Sequence, residues 1–313
     1  MSKTKIFLIL LIIGTAFWGI SFPLSKEAYT SITPYTFMFY RFLIAAIALA
    51  IIFYKQILNI NKSTFKKGII SGIFLFMGIC WQAVGLKYTS ASNASFIAGI
   101  EVVMIPLFAF IFMKKSIQPK IWAACILALG GLYTIAMSSG LSNFKIGDLM
   151  VFVGSIFYST YVLYVGKISQ EKQSSESKLD AKTLVIMQLF VCAIASGIVT
   201  TIQGGLSAVA LPMSAKIWES LLFVGIFSTG YMYCIQNIAQ KYMAPEKIAL
   251  TYLCEPIFAT IFAYFMLNEV ITTTTIAGGS LILISMFISE ANIPKLFKSL
   301  QRIAVPVKIK HRD

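Results

Sequence analysis

A chain of 313 residues that is 58% hydrophobic and 12% charged, with a mean hydropathy of +0.82, is built for lipid; a soluble domain carries about 25% charged residues. The net charge of +14 invites a nucleic-acid partner, but the basic residues sit in short connections between apolar runs, which argues for no nucleic-acid binding. The single histidine, His311, lies near the C-terminus, and the five cysteines fall within apolar runs without metal-ligand spacing. That inventory excludes histidine-based metal or acid–base chemistry in the membrane, and no cofactor is expected.

Ten stretches approach the ~20 apolar residues needed to cross a bilayer: about 6–25, 34–54, 68–87, 91–113, 120–138, 147–166, 183–203, 217–239, 247–267 and 272–290. They are too long, and too poor in period-two alternation, for a closed β-barrel. The first follows Lys3 and Lys5 like a signal peptide, but it is long enough to span and no small-residue cleavage site follows, so it reads as a retained helix. With the N-terminus in the cytoplasm, only Lys26, Lys87, Lys145 and Lys216 fall on the far side, and Arg41 lies within a span. This asymmetry predicts ten spans with both termini cytoplasmic.

The first span carries Trp18 and Phe22. The second opens at Pro34 and holds Tyr40 and Arg41. An arginine at that depth costs at least ~2.5–3.5 kcal/mol, so it must face a polar cavity, pair with a carboxylate or snorkel to the interface. Its planar fork of donors suits a substrate carboxylate or phosphate; a salt bridge between helices is the structural alternative. The third span contains Trp81 and Gln82, and the fourth contains Glu101 and Pro106. Asp148, at the start of the sixth span, reads as a helix N-cap, and Tyr158 and Tyr161 follow. The polar segment Gln170–Lys182 reads as a linker between halves. The eighth span holds Gln236, and the ninth holds Tyr252, Glu255 and Pro256. A glutamate in low-dielectric surroundings exchanges a proton, holds a cationic group, or serves neutral as interhelical glue. The prolines each free a carbonyl four residues earlier, so broken helices are expected beside both acids. The tail beyond Ala291 puts Ile293, Leu296, Phe297, Leu300 and Ile303 on one helical face among basic residues. It could lie on an anionic leaflet or be merely solvated.

The two halves echo one another. Gln82, Lys87, Tyr88 and Glu101 recur 154 residues later as Gln236, Lys241, Tyr242 and Glu255, without a gap. Five spans per half is odd, so the second copy enters from the opposite side, an inverted repeat whose site lies near the midplane. The expected fold is therefore an all-α integral membrane protein of ten transmembrane helices in two inverted five-helix repeats. The boundaries are 1–144, 145–290 and a basic cytoplasmic tail over 291–313.

The chain resembles the EamA-type transporters of the drug/metabolite transporter superfamily. The resemblance covers nearly all of residues 6–290. It rests on Phe17-Trp18-Gly19 with Ser21 and Lys26, Pro34 with Arg41, Gly85 to Ser90, Pro106, Gly147-Asp148, Glu255 to Ala259, and Leu267-Asn268-Glu269. Glu101 departs from it, since many relatives have an uncharged residue there. The resemblance implies a central cavity opening alternately to either side. Together these readings predict a secondary active transporter, without an ATP-binding GxxxxGK[ST] motif and without enzymatic activity. It would export small polar or zwitterionic metabolites such as amino acids, with proton coupling through Glu101 and Glu255. The alternative is uptake or exchange of a charged metabolite such as S-adenosylmethionine; a non-transporting membrane scaffold is a further one. The expected substrate-binding set is Arg41, Glu101, Glu255, Gln82, Gln236, Trp18, Tyr40 and Tyr252. The expected partners are a small-molecule metabolite and the lipid bilayer, as a monomer or homodimer in the bacterial inner (plasma) membrane.

Overall fold

The computed structural model describes residues 2–58, 60–138, 145–170, 179–209, 214–267 and 270–290. Most of the polar linker and the whole basic tail, with its amphipathic pattern, lie outside those residues. Ten membrane helices follow in chain order: α1 (Lys3–Ala28), α2 (Pro34–Ile52), α3 (Lys62–Tyr88), α4 (in two pieces, Ala91–Gly99 and Glu101–Met113) and α5 (Pro119–Ser138). The second half supplies α6 (Ile146–Gln170), α7 (Ala181–Gly204), α8 (Ala215–Phe223, Val224–Tyr231 and Met232–Ala239), α9 (Pro245–Tyr252 and Cys254–Leu267) and α10 (Thr273–Glu290). Short helical turns at Tyr54–Ile57 and Leu206–Val209 lie in connections. Eight helical segments among the described residues are long and apolar enough to cross a membrane, and α10 adds a shorter apolar stretch.

Local chemistry starts these helices where the apolar runs begin. Thr33, Asn61, Ser90 and Asp180 each accept a backbone N–H from two or three residues ahead, satisfying donors that the first turn leaves orphaned. Asp148 instead reaches back from inside its helix, to a residue three earlier. Its Oδ2 accepts the Lys145 N–H at 2.8 Å, the reciprocal half of a capping box, so the sequence reading of an N-cap is displaced by three residues.

Two helices break in matching places. α4 is interrupted at Ile100 and α9 at Leu253, and Glu101 and Glu255 fall in the first turn of the pieces that follow. Pro106 strips the Val102 carbonyl of its helical donor, and the Cys125 thiol donates to that oxygen at 3.4 Å. α8 instead contains an eight-residue π-helix, Val224–Tyr231, packed against α1 and α2. Its repeat equivalent in α3 is regular α-helix.

Packing follows the inverted repeat. The self-equivalent pairs α2 with α7 and α5 with α10 lie together, while α3 on α6 is matched by α8 on α1. Glycines make the α3–α6 contact close: Gly78 faces Gly154, and Gly85 faces Gly147. Small residues of this kind let membrane helices approach through backbone. A Cβ on Gly147 would sit 2.5 Å from the Gly85 carbonyl oxygen and 2.8 Å from the Tyr88 carbonyl carbon. Gly147→Ala should therefore destabilise the detergent-solubilised protein by about 1–3 kcal/mol, read as a lowered unfolding midpoint. An unchanged midpoint would show that α6 is free to move away from α3.

Candidate functional site

The helical spacing of Trp18, Ser21, Phe22, Ser25 and Tyr29 puts them on one face of α1, and that face lines a cavity of about 70 Å³. Ile79, Gln82, Ala83 and Leu86 of α3 line the opposite wall, with Ala98 and Glu101 of α4, Glu255 of α9 and Arg41 of α2. Tyr158 of α6 and Tyr233 of α8 complete it. On α1 and α3 these residues run from mid-helix towards the C-terminal ends. The cavity thus occupies the half of the bundle where α1 finishes and α2 starts.

Two carboxyls and one guanidinium share this space, and all three residues are buried. Gln82 Nε2 donates to Glu101 Oε1 at 2.8 Å and approaches Ser155 Oγ at 3.5 Å. Glu255 makes no hydrogen bond among the described residues and opens onto the cavity. Arg41 Nε donates to Thr229 Oγ1 at 3.0 Å within the π-helix of α8. No carboxylate lies within ion-pair distance of Arg41 among the described residues. The guanidinium is thus buried and unneutralised, an arrangement that costs several kcal/mol unless an anionic group or water completes it.

The cavity ends on aromatic rings. Trp18 meets Tyr158, Tyr233 and Tyr252 at centroid distances of 6.1, 5.9 and 5.1 Å, and its indole N–H donates to the Ser228 carbonyl at 2.8 Å. Beyond the rings, towards the end where α1 begins, the bundle is closed by buried amides. Gln188 Nε2 donates to Ser71 Oγ and Asn237 Oδ1, while Asn237 Nδ2 donates to Tyr161 OH and Gln188 Oε1. At the same end the Lys115–Glu246 ion pair, at 2.9 Å, joins the segment after α4 to the start of α9. Among the described residues no three His, Cys, Asp or Glu side chains are grouped to hold a metal ion.

The model of the EamA-like transporter family matches residues 5–137 and again 145–290. The chain belongs to the EamA-like transporter family. An uncharacterized transporter of Archaeoglobus fulgidus is 28% identical over 280 residues, covering 88% of this chain and 83% of the relative. A second from that organism is 24% identical, covering 93% and 98%. The uncharacterized transporter YyaM of Bacillus subtilis is 24% identical, covering 92% and 95%. One solved crystal structure superposes with a TM-score of 0.73 at 15% identity, over 93% of this chain and 99% of that one; likeness at that identity speaks for the fold alone. The protein is accordingly a multi-pass membrane transporter.

The EamA-like fold brings some sequence-selected residues together and separates others. Arg41, Glu101, Glu255, Gln82 and Trp18 meet at the cavity. Gln236 does not: it is wholly buried behind the aromatic layer, its Oε1 accepting the Tyr158 hydroxyl at 3.1 Å. Tyr252 packs on Trp18 and Tyr158 from the same closed side. Tyr40 points elsewhere, its hydroxyl donating to the Val209 carbonyl and its ring meeting Trp218. Trp81 is exposed on the outer surface. Tyr88 and Tyr242, the repeated tyrosines, are also exposed, and Lys3 lies over the Tyr242 ring, as expected of an interfacial belt. Lys26 caps α3, its ammonium donating to the Leu86, Lys87 and Thr89 carbonyls. Sequence reasoning named Ser21 only for the family resemblance and passed over Ser25, Tyr29 and Tyr233 as cavity residues. The first three were signalled by their spacing from Trp18; nothing local marked Tyr233.

Proposed function

We propose that this protein is a secondary active transporter of small polar or zwitterionic metabolites of the amino-acid type, working by alternating access. One observation carries the reading: Arg41, buried without a carboxylate partner, faces the same cavity as Glu101 and Glu255. A ligand carboxylate completes the guanidinium, which offers planar bidentate donors. A ligand ammonium, or a proton when the site is empty, completes the acids. The broken helices α4 and α9 supply half-helix ends beside the site, as in other inverted-repeat carriers. Two carboxyls against one guanidinium also suit a ligand with two cationic centres and one anionic centre, such as S-adenosylmethionine. The lysine distribution supports cytoplasmic termini.

A thermal-shift screen of detergent-purified protein tests the ligand class. Compounds carrying both an ammonium and a carboxylate should raise the unfolding midpoint, because a ligand at about 100 times its Kd adds ~2.7 kcal/mol to the folded state. The matching amides and decarboxylated amines should not. Equal stabilisation by the amines would remove Arg41 from the reading.

A further inference from the structure

A second concavity lies outside the polar site, on the outer side of α4, α5 and α6. It measures about 640 Å³, against about 70 Å³ for the cavity around Arg41, and falls within the ~300–1,000 Å³ of small-molecule sites. Phe96 and Ile100 of α4, Leu129 and Tyr133 of α5, and Leu149 and Phe152 of α6 wall it. Leu129, Tyr133, Leu149 and Phe152 are 38%, 64%, 45% and 37% exposed, so the groove opens sideways. Water finds no hydrogen-bond partners on such walls, and what surrounds spanning helices at that depth is hydrocarbon.

The polar groups gather at one end of the groove. Lys145 stands one helical turn before Asp148 and Leu149, the Asp148 N–H donating to its carbonyl, and Phe152 lies about 10 Å further along α6. Lys145 is exposed and makes no ion pair among the described residues. Lys26, whose charge reaches Lys145, adds to the positive field there. Asp148, also on the wall, is buried and already engaged: its carboxylate accepts the Thr89 hydroxyl and the Lys145 N–H. Asn93, in the first turn of α4, has a buried Oδ1 without a hydrogen-bond partner. An ammonium and an orphaned acceptor thus stand at the mouth of an apolar trough, complementary to a phosphate and a hydroxyl carried on a hydrocarbon chain.

We propose that this groove binds an anionic phospholipid of the phosphatidylglycerol type. One acyl chain lies in the trough, the phosphate sits on Lys145, and a headgroup hydroxyl donates to Asn93. The site touches the polar cavity through one wall, because Ile97 and Ile100 line the groove while Ala98 and Glu101 line the cavity. The break in α4 is that wall, and the bound chain backs the turn that carries Glu101. The proposal needs only that these helices span a membrane, so it stands or falls apart from the substrate reading.

Photolabelling of the full chain in phosphatidylcholine nanodiscs tests this. A trace of phosphatidylglycerol carrying a mid-chain diazirine is added, and labelled peptides are mapped by mass spectrometry. Label should concentrate on residues 96–100, 129–133 and 149–152, above the other lipid-facing surfaces of α5 and α10. A phosphatidylcholine probe with the same chain should label that set about fivefold less, the preference that ~1 kcal/mol from one basic residue near the surface gives. Lys145→Gln should erase the preference, whereas Lys216→Gln, at the same end of the bundle, should leave it. Leu149→Trp, at a half-exposed position that tolerates a larger ring, should fill the trough and cut its labelling with either probe. Even labelling of every lipid-facing surface by both probes would mean ordinary boundary lipid and overturn the site, with no variant needed. A preference that survives Lys145→Gln would overturn the headgroup assignment. If the groove stays unlabelled while the rest of α5 labels, protein covers it, either the 139–144 connection or a second copy of the chain, and the lipid proposal falls.

Discussion

Arg41→Ala is expected to weaken half-saturation for carboxylate-bearing substrates about 10- to 100-fold, the loss that follows from ~1.5–3 kcal/mol of charge-assisted hydrogen bonding. Folding should suffer little, because Arg41 makes one hydrogen bond, to Thr229, and no ion pair among the described residues. Removing it also relieves an uncompensated buried charge. Arg41→Lys should recover only part of the affinity: a lysine keeps the charge but loses the planar fork and the Nε contact that aims it. Concentration-dependent uptake into proteoliposomes reads the effect, with thermal unfolding as the check on folding. If Arg41→Ala transports carboxylates with wild-type half-saturation, Arg41 is a structural group.

Converting both Glu101 and Glu255 to glutamine should abolish uptake driven by an imposed pH gradient, leaving at most substrate exchange. Glutamine keeps the size and hydrogen-bonding shape of each side chain but cannot exchange a proton. The single variants should differ. Glu101 is held by Gln82 at 2.8 Å, and a glutamine there can still accept that bond, so packing around α3 and α4 survives. Glu255 makes no such bond among the described residues and opens directly on the cavity, which makes it the more accessible proton carrier. Glu255→Gln alone should therefore lower gradient-driven uptake at least tenfold while exchange persists, a split between coupling and binding that a packing defect would not produce. Wild-type pH dependence in both single variants and the double variant would leave the acids without a role in coupling.

Much of this was legible one-dimensionally. Apolar length and the placement of lysines are properties of short segments, so the spans could be read directly, and Pro256 announced the break in α9 through the donor it lacks; α4 runs on through Pro106 and breaks at Ile100 instead. The equal spacing of Gln82 to Glu101 and Gln236 to Glu255 exposed the duplication. It did not say that Gln82 would reach its glutamate while Gln236 would turn to Tyr158. Nor could the sequence tell that Tyr40 faces the end of α7 rather than the cavity, because an aromatic residue beside Arg41 fits either surface equally well.

The sequence by itself determined a membrane protein of ten helices in two inverted copies, with charges doubled near their centres, because those features follow from local composition and an internal offset. Only the tertiary structure decided which copy's residues face open space. Two inverted repeats can be similar in sequence and still pack inequivalently: Arg41 and Gln82 line the cavity, while their counterparts Gln188 and Gln236 are buried against other side chains. Glu101 and Glu255, one from each copy, line the same cavity. Gln82 reaches that site and holds Glu101, whereas Gln236 is buried against Tyr158.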